Sequence, residues 1–168
     1  MRHLILVLIP VSLMGCAFER YEPPSSGPTA TMTLKFYSPG YQEALLYKEA
    51  NTCQYPVAAW GPVMTKDLDG KTITTKSDQD VTLMLGTTRT SVLSVNICRI
   101  NITFKPVSGQ AYLAEYRLTG DFCQVRLAVL GQEAKPDSAL GRDIPVTFRK
   151  YVVPFSGSGS FCGEQLAK

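Results

Sequence analysis

Thr31-Met32-Thr33-Leu34-Lys35-Phe36-Tyr37 is the stretch that decides the fold class. Met32, Leu34 and Phe36 occupy alternate positions, with Thr31, Thr33, Lys35 and Tyr37 between them. A period of two sends one set of side chains to each face of an extended chain, so the stretch reads as a half-buried strand. Ser38-Pro39-Gly40 ends it with residues that suit a turn.

The same pattern recurs outward from there. Residues 44–48 form a second candidate strand, and residues 57–65 a third, interrupted by Gly61-Pro62. Asp67-Leu68-Asp69-Gly70 marks a turn before residues 71–76. Residues 81–85 and 91–105 are rich in Val, Ile, Leu and Thr. In the second of these, Val95, Ile97, Arg99, Asn101 and Thr103 lie opposite Asn96, Cys98, Ile100, Ile102 and Phe104. Residues 106–110 turn the chain into a strand over 111–118, and Thr119-Gly120-Asp121 turns it into another over 122–130. A polar loop over 131–143 precedes a last strand near 146–153. Only residues 41–50 offer a helical turn, because Gln42-Glu43-Ala44-Leu45-Leu46 are good helix formers. Turn signals at intervals of roughly 8–12 residues predict an all-β domain, an antiparallel β-sandwich or small barrel of about 7–8 short strands.

A chain of 168 residues supports one ordinary domain. Hydrophobic residues are 45% of it and charged residues 18%, which excludes a wholly disordered chain and a multi-span membrane protein. The formal charge of +3 makes no electrostatic case for nucleic acid.

The first residues obey different rules. Met1-Arg2-His3 is a short basic start, and the apolar run over residues 4–13 is too short for a spanning helix, which needs roughly 20 residues. This combination reads as a signal peptide. Leu13-Met14-Gly15-Cys16 resembles the lipobox of bacterial lipoproteins. The resemblance implies that the Cys16 thiol carries a diacylglycerol, that the signal is cut before it, and that the new amine is acylated. Several acyl chains, at roughly 0.8 kcal/mol per buried methylene, would hold such a protein on its membrane. Ala17 stands where the enteric inner-membrane retention signal is usually Asp, so the resemblance points to the outer membrane with the domain facing the periplasm. Residues 1–15 are thus expected as a lipoprotein signal peptide, 16–30 as the lipidated Cys16 with a flexible Pro- and Ser-rich tether, and 31–168 as a single periplasmic β domain.

Cleavage before Cys16 removes His3, the only histidine. Ser-His-Asp and Cys-His catalysis and histidine-ligated metals then drop out, and acid–base chemistry falls to carboxylates. Besides Cys16, the cysteines are Cys53, Cys98, Cys123 and Cys162, an even number that reads as two disulfides in an oxidising compartment. Four cysteines allow three connectivities. If Cys98 and Cys123 sit two strands apart in one meander, roughly 10 Å separates them, and the pairing Cys53–Cys98 with Cys123–Cys162 is preferred. A four-thiolate metal site is the rival arrangement, without any Cys-x-x-Cys pair to support it.

Asp80-Val81-Thr82-Leu83, Cys98, Phe104-Lys105-Pro106, Gly109-Gln110-Ala111-Tyr112 and Cys123 resemble a pattern in small periplasmic all-β lipoprotein domains, PEGA-like modules among them. The pattern describes a strand–turn–strand core and brings no catalytic residues with it.

Spacing bears on the other candidates. Asp67, Asp69 and Asp78 fall near calcium-loop positions, but Thr72 stands where the loop glycine belongs. Glu43, Glu49, Glu115, Glu133 and Glu164 could supply a carboxylate pair for glycoside cleavage, with nothing in their spacing to select two. Ser156-Gly157-Ser158-Gly159-Ser160 is Gly-rich without the lysine and helix of a phosphate cradle. Asn101-Ile102-Thr103 is a sequon on a strand that reads as buried. Trp60 with Tyr55 and Pro62 could form an aromatic patch, and Arg142, Arg149 and Lys150 near Asp143 an anion-contacting face.

The expected function is a non-catalytic, outer-membrane-anchored lipoprotein acting as an interaction or structural module of the cell envelope. Its expected partners are the membrane, through Cys16, and an envelope protein, with no cofactor, metal or nucleic acid. The alternatives are an inhibitor or immunity lipoprotein whose plug is the loop over 136–143, and a β domain that binds a small ligand or lipid.

Overall fold

A computed structural model describes residues 18–64, 70–120, 122–131, 142–155 and 159–166. Among them the chain forms strands and no helix. In order they are β1 (Glu19–Arg20), β2 (Thr29–Phe36), β3 (Tyr41–Glu49), β4 (Gln54–Met64), β5 (Lys71–Lys76) and β6 (Val81–Thr90). There follow β7 (Val95–Phe104), β8 (Ala111–Thr119), β9 (Phe122–Leu130), β10 (Arg142–Asp143), β11 (Thr147–Tyr151) and β12 (Cys162–Gln165). One sheet has the order β1-β4-β3-β6-β7-β11-β12, and the other β10-β9-β8-β2-β5.

The alternation over residues 31–37 sets the core. Met32, Leu34 and Phe36 point inward with Tyr112, Ala114 and Tyr116 of β8, against Ala44 and Leu46 of β3, Leu83 and Leu85 of β6, and Ile102 of β7. Each buried side chain of this size contributes roughly 1.5–3 kcal/mol through the area it removes from water. The outward face of the larger sheet is also partly covered. Leu45, Tyr47 and Met84 pack there under Phe161, which the C-terminal segment lays across them.

Both sheets are mixed rather than purely antiparallel. β2 runs parallel to β8 and β1 parallel to β4. Between β2 and β8 the chain builds most of the other sheet, so it re-enters beside β2 from the same end and in the same direction. The twelve strands exceed the about 7–8 expected, and β1, β10 and β12 among them have only two to four residues. Of residues 41–50, where a helical turn was expected, 41–49 are strand, since β3 is hydrogen-bonded on both sides, to β4 and to β6. The ladder and burial on two faces override the helix propensity of Glu, Ala and Leu.

The stretch expected as a free tether is docked from Glu19 onward. β1 pairs with β4, the Tyr21 amide donates to Ala58 O at 2.9 Å, and the Tyr21 hydroxyl donates to Thr74 O at 2.7 Å. Ser77 then donates to Pro28 O. This segment therefore straps the edge of one sheet to the edge of the other.

The disulfides are Cys53–Cys162 and Cys98–Cys123, with Cα separations of 5.5 and 5.9 Å. The preferred pairing was wrong because residues 105–110 do not form a hairpin. They carry the chain from β7 in one sheet to β8 in the other, so Cys98 and Cys123 face each other across the sandwich. Cys53–Cys162 fastens the β3–β4 turn to the start of β12, where the Phe161 amide also donates to Cys53 O.

Candidate interaction surface

The ends of the sandwich differ in chemistry. The β3–β4 turn, with Cys53, lies beside the start of β6, where the Thr82 hydroxyl donates to Ala50 O. Phe18 reaches that same end and meets Phe161 edge to face, its ring centre 6.4 Å away. The chain thus enters the fold there. β6 then runs ten residues away from it to Thr90, roughly 30 Å at about 3.3 Å per residue.

At the far end β6 turns into β7 through Ser91-Val92-Leu93-Ser94. The Ser91 amide donates to Ser94 O at 2.8 Å, the Ser94 amide donates to Ser91 Oγ at 3.1 Å, and the two hydroxyls bond at 2.8 Å. Those bonds hold a tight turn whose two central residues are aliphatic, where Gly, Asn, Asp or Pro is usual. Val92 is 99% exposed and Leu93 96%.

The apolar surface continues onto the sheet. Cys98 and Ile100 pack against the core, so alternation turns Val95 and Ile97 outward, and both are exposed. Ile97 pairs with Thr88, and Thr88 with the exposed Tyr41. Phe122, 77% exposed, opens β9 of the smaller sheet; Cys123 beside it packs against the core, so Phe122 faces outward on the opposite side of the sandwich from Val95 and Ile97. A groove of about 550 Å3 runs beneath the tip, lined by Tyr41, Arg89, Ser91, Ser94 and Asn96 among others. Gly40 closes the β2–β3 turn onto this groove at φ +124°, where a Cβ would come within 2.6 Å of Thr88 O. Arg89 Nε donates to Pro39 O, and Arg117 lies over the Tyr37 ring at 4.5 Å.

Nearer the chain entry, the strap covers a second cleft of about 410 Å3. Leu46, Val57 and Val81 supply its apolar lining, Tyr21 and Pro24 come from the strap, and Lys76 and Asp80 stand among its charges. Lys48 and Glu19 form an exposed ion pair across its mouth.

The sequence-derived candidates fall in different places. Cys16, Asp67, Asp69, Glu133 and residues 132–141, which hold most of the suggested plug loop, lie outside the described residues. So do Ser156, Gly157 and Ser158. Trp60 packs on the core, its ring centre 5.1 Å from that of Phe36, while Tyr55 faces solvent, so they do not form one patch. Arg142 and Asp143 belong to one sheet, Arg149 and Lys150 to the other. Asp143 accepts from Arg126, and Arg149 donates to Asn51 O. Asn101 of the sequon is wholly buried, accepting from the Tyr47 hydroxyl and donating to Phe161 O.

The carboxylates are also dispersed. Glu43 pairs with Arg99 on the outer face of the larger sheet. Glu115, on the smaller sheet, accepts from Tyr37 and Arg126. The hydrogen bonds that Arg126 donates to Glu115, and then to Asp143, raise its pKa. Glu49 accepts from Thr52, and Glu164 is exposed on β12. Among the described residues, no group of three His, Cys, Asp or Glu is placed to hold a metal ion.

Val92 and Leu93 were missed because they read as the start of a strand over 91–105. The available signal was the pair of serines spaced to close a two-residue turn. The chain matches no family model, and no curated protein and no solved structure matches it.

Proposed function

We propose that the protein is a bacterial lipoprotein, held on the outer membrane by acyl chains on Cys16 and facing the periplasm, that serves the envelope as a non-catalytic interaction module. The observation that carries this reading is the polarity of the domain. Phe18 enters at one end, two residues after Cys16, and the rigid apolar tip at Val92-Leu93 stands at the other. A domain tethered by Cys16 would turn that tip away from its own bilayer and toward the periplasmic space. Exposed aliphatic and aromatic side chains gathered at one end of a fold mark an interaction site.

The test is fractionation and co-purification in the native cells. The lipoprotein is expected in the membrane fraction, together with an envelope protein in fixed ratio, and Cys16→Ser is expected in the soluble fraction. Retention of Cys16→Ser on the membrane, or turnover of a cell-wall or lipid substrate by the purified protein, would contradict the reading. A single soluble enzyme as the captured partner would favour the inhibitor alternative.

The cleft under the strap supports a second reading, the small-ligand or lipid-binding domain, because its apolar lining and charged mouth suit an amphipathic molecule. Native mass spectrometry of the intact protein would show the added mass of such a ligand.

A further inference from the structure

We propose that the apolar end is a docking face for a protein whose complementary surface is apolar at its centre and rimmed by carboxylates. The proposal rests on the lipoprotein reading and specifies the partner that reading requires. Three observations carry it.

The first is the rigidity of the tip. Three hydrogen bonds between Ser91 and Ser94 fix the turn, so Val92 and Leu93 are presented without a loop having to order on contact. A preorganised apolar projection loses little conformational entropy when it is buried. Val95, Ile97 and Tyr41 extend the contact on the face of the larger sheet.

The second is the place of Phe18 in the fold. Phe18, the first of the described residues, lies by the opposite end of β6, roughly 30 Å from the tip. A bilayer holding Cys16 would therefore lie at the wrong end to receive Val92 and Leu93.

The third is charge. Among the described residues at this end, Arg89 and Arg117 are the cations outside ion pairs, and the carboxylates nearby are both held, Glu43 by Arg99 and Glu115 by Arg126. Asp121 lies outside the described residues. Two copies meeting tip to tip would set arginines against arginines, whereas a carboxylate-rimmed partner would answer both. Two arginines at roughly 1 kcal/mol each would also give little hold on an anionic bilayer.

The test is photocrosslinking in the native cells, with a benzophenone amino acid in place of Val92 in the full-length lipoprotein. One protein adduct is expected, with a crosslinked peptide that is apolar and flanked by Asp or Glu. Leu93→Asp is expected to lower its yield about tenfold or more. Arg89→Glu is expected to lower it about threefold. Thermal unfolding of each variant checks that it folds, and Val92→Asp, with the crosslinker in place of Leu93, is the second variant should Leu93→Asp not. An adduct at twice the mass of the chain, a lipid adduct, a partner peptide without carboxylates, a yield indifferent to Leu93→Asp, or no adduct would each overturn the proposal. Palmitate labelling of Cys16 in the same cells reports separately on the anchor, so failure of the docking face and failure of the lipoprotein reading are distinguishable.

Discussion

Arg99 reaches Glu43 across the bare backbone of Gly86. The three residues share one register row through β3, β6 and β7, and the guanidinium Nε lies 2.5 Å from the carboxylate Oε1. The same guanidinium lies 5.3 Å from the centre of the Tyr151 ring, so the pair also ties β11 to the sheet. A Cβ on Gly86 would stand 2.7 Å from Arg99 Cγ and 3.3 Å from Glu43 Oε1. Gly86→Ala is therefore expected to displace Arg99 and destabilise the fold by roughly 1–3 kcal/mol, as overpacking of a filled site does. Urea unfolding measures this, and an unchanged midpoint would show that the row has slack.

The buried tyrosines predict the response to alkali. Burial pushes the Tyr47 hydroxyl far above its ordinary value of 10.0, and raises those of Tyr116 and Tyr151. A group whose folded pKa is raised keeps its full contribution below its unfolded pKa and loses it as pH rises above that value. Stability should therefore be insensitive to these groups up to pH about 9 and fall above pH about 10. Tyr47→Phe leaves Asn101 Oδ1 without the hydroxyl that donates to it at 3.0 Å. This variant should lose roughly 1–3 kcal/mol at neutral pH, yet decline less steeply in alkali. Unfolding midpoints from pH 7 to about 11 would check both effects.

The two disulfides should contribute unequally. Cys53–Cys162 closes a sequence separation of 109 residues and Cys98–Cys123 one of 25. Chain-entropy arithmetic assigns the first about 5 kcal/mol and the second about 3.5 kcal/mol. Replacing Cys53 and Cys162 by alanine should thus destabilise more than replacing Cys98 and Cys123, by about 1 kcal/mol. Nonreducing peptide mapping should recover the residue 53 peptide joined to that of residue 162. Recovery of Cys53 joined to Cys98 would refute the connectivity.

The apolar tip should be dispensable for folding. Val92 and Leu93 bury almost nothing, so Leu93→Asp is expected to change stability by no more than about 0.5 kcal/mol. Thermal unfolding of the purified protein measures it. A large loss would mean that the tip supports the fold and is not free to dock.

The strands were legible where one face is buried and the other wet. β5 and β9 lie where the alternation and turn residues put them, and residues 31–37 fall within β2 but for Tyr37. β3 was ambiguous because Ala44-Leu45-Leu46-Tyr47 is buried on both faces, and a continuous apolar run has no period to read. β1 and β10 have two residues each, too few for any pattern, and are held by the edges of other strands. The disulfide pairing was illegible for a different reason. Pro106 and Gly109 mark a turn, but turn chemistry does not say whether the next strand stays in the sheet or crosses to the other. The site was illegible because Val92-Leu93 carries strand-forming residues where turn-formers are expected, and only the folded chain shows that they project.

The most direct test of the account is the mass of the N-terminal peptide of the mature protein purified from its own cells. The account predicts a chain that begins at Cys16, with acyl groups on its thiol and on its amine. A chain that begins elsewhere, or a Cys16 bearing no lipid, would contradict it.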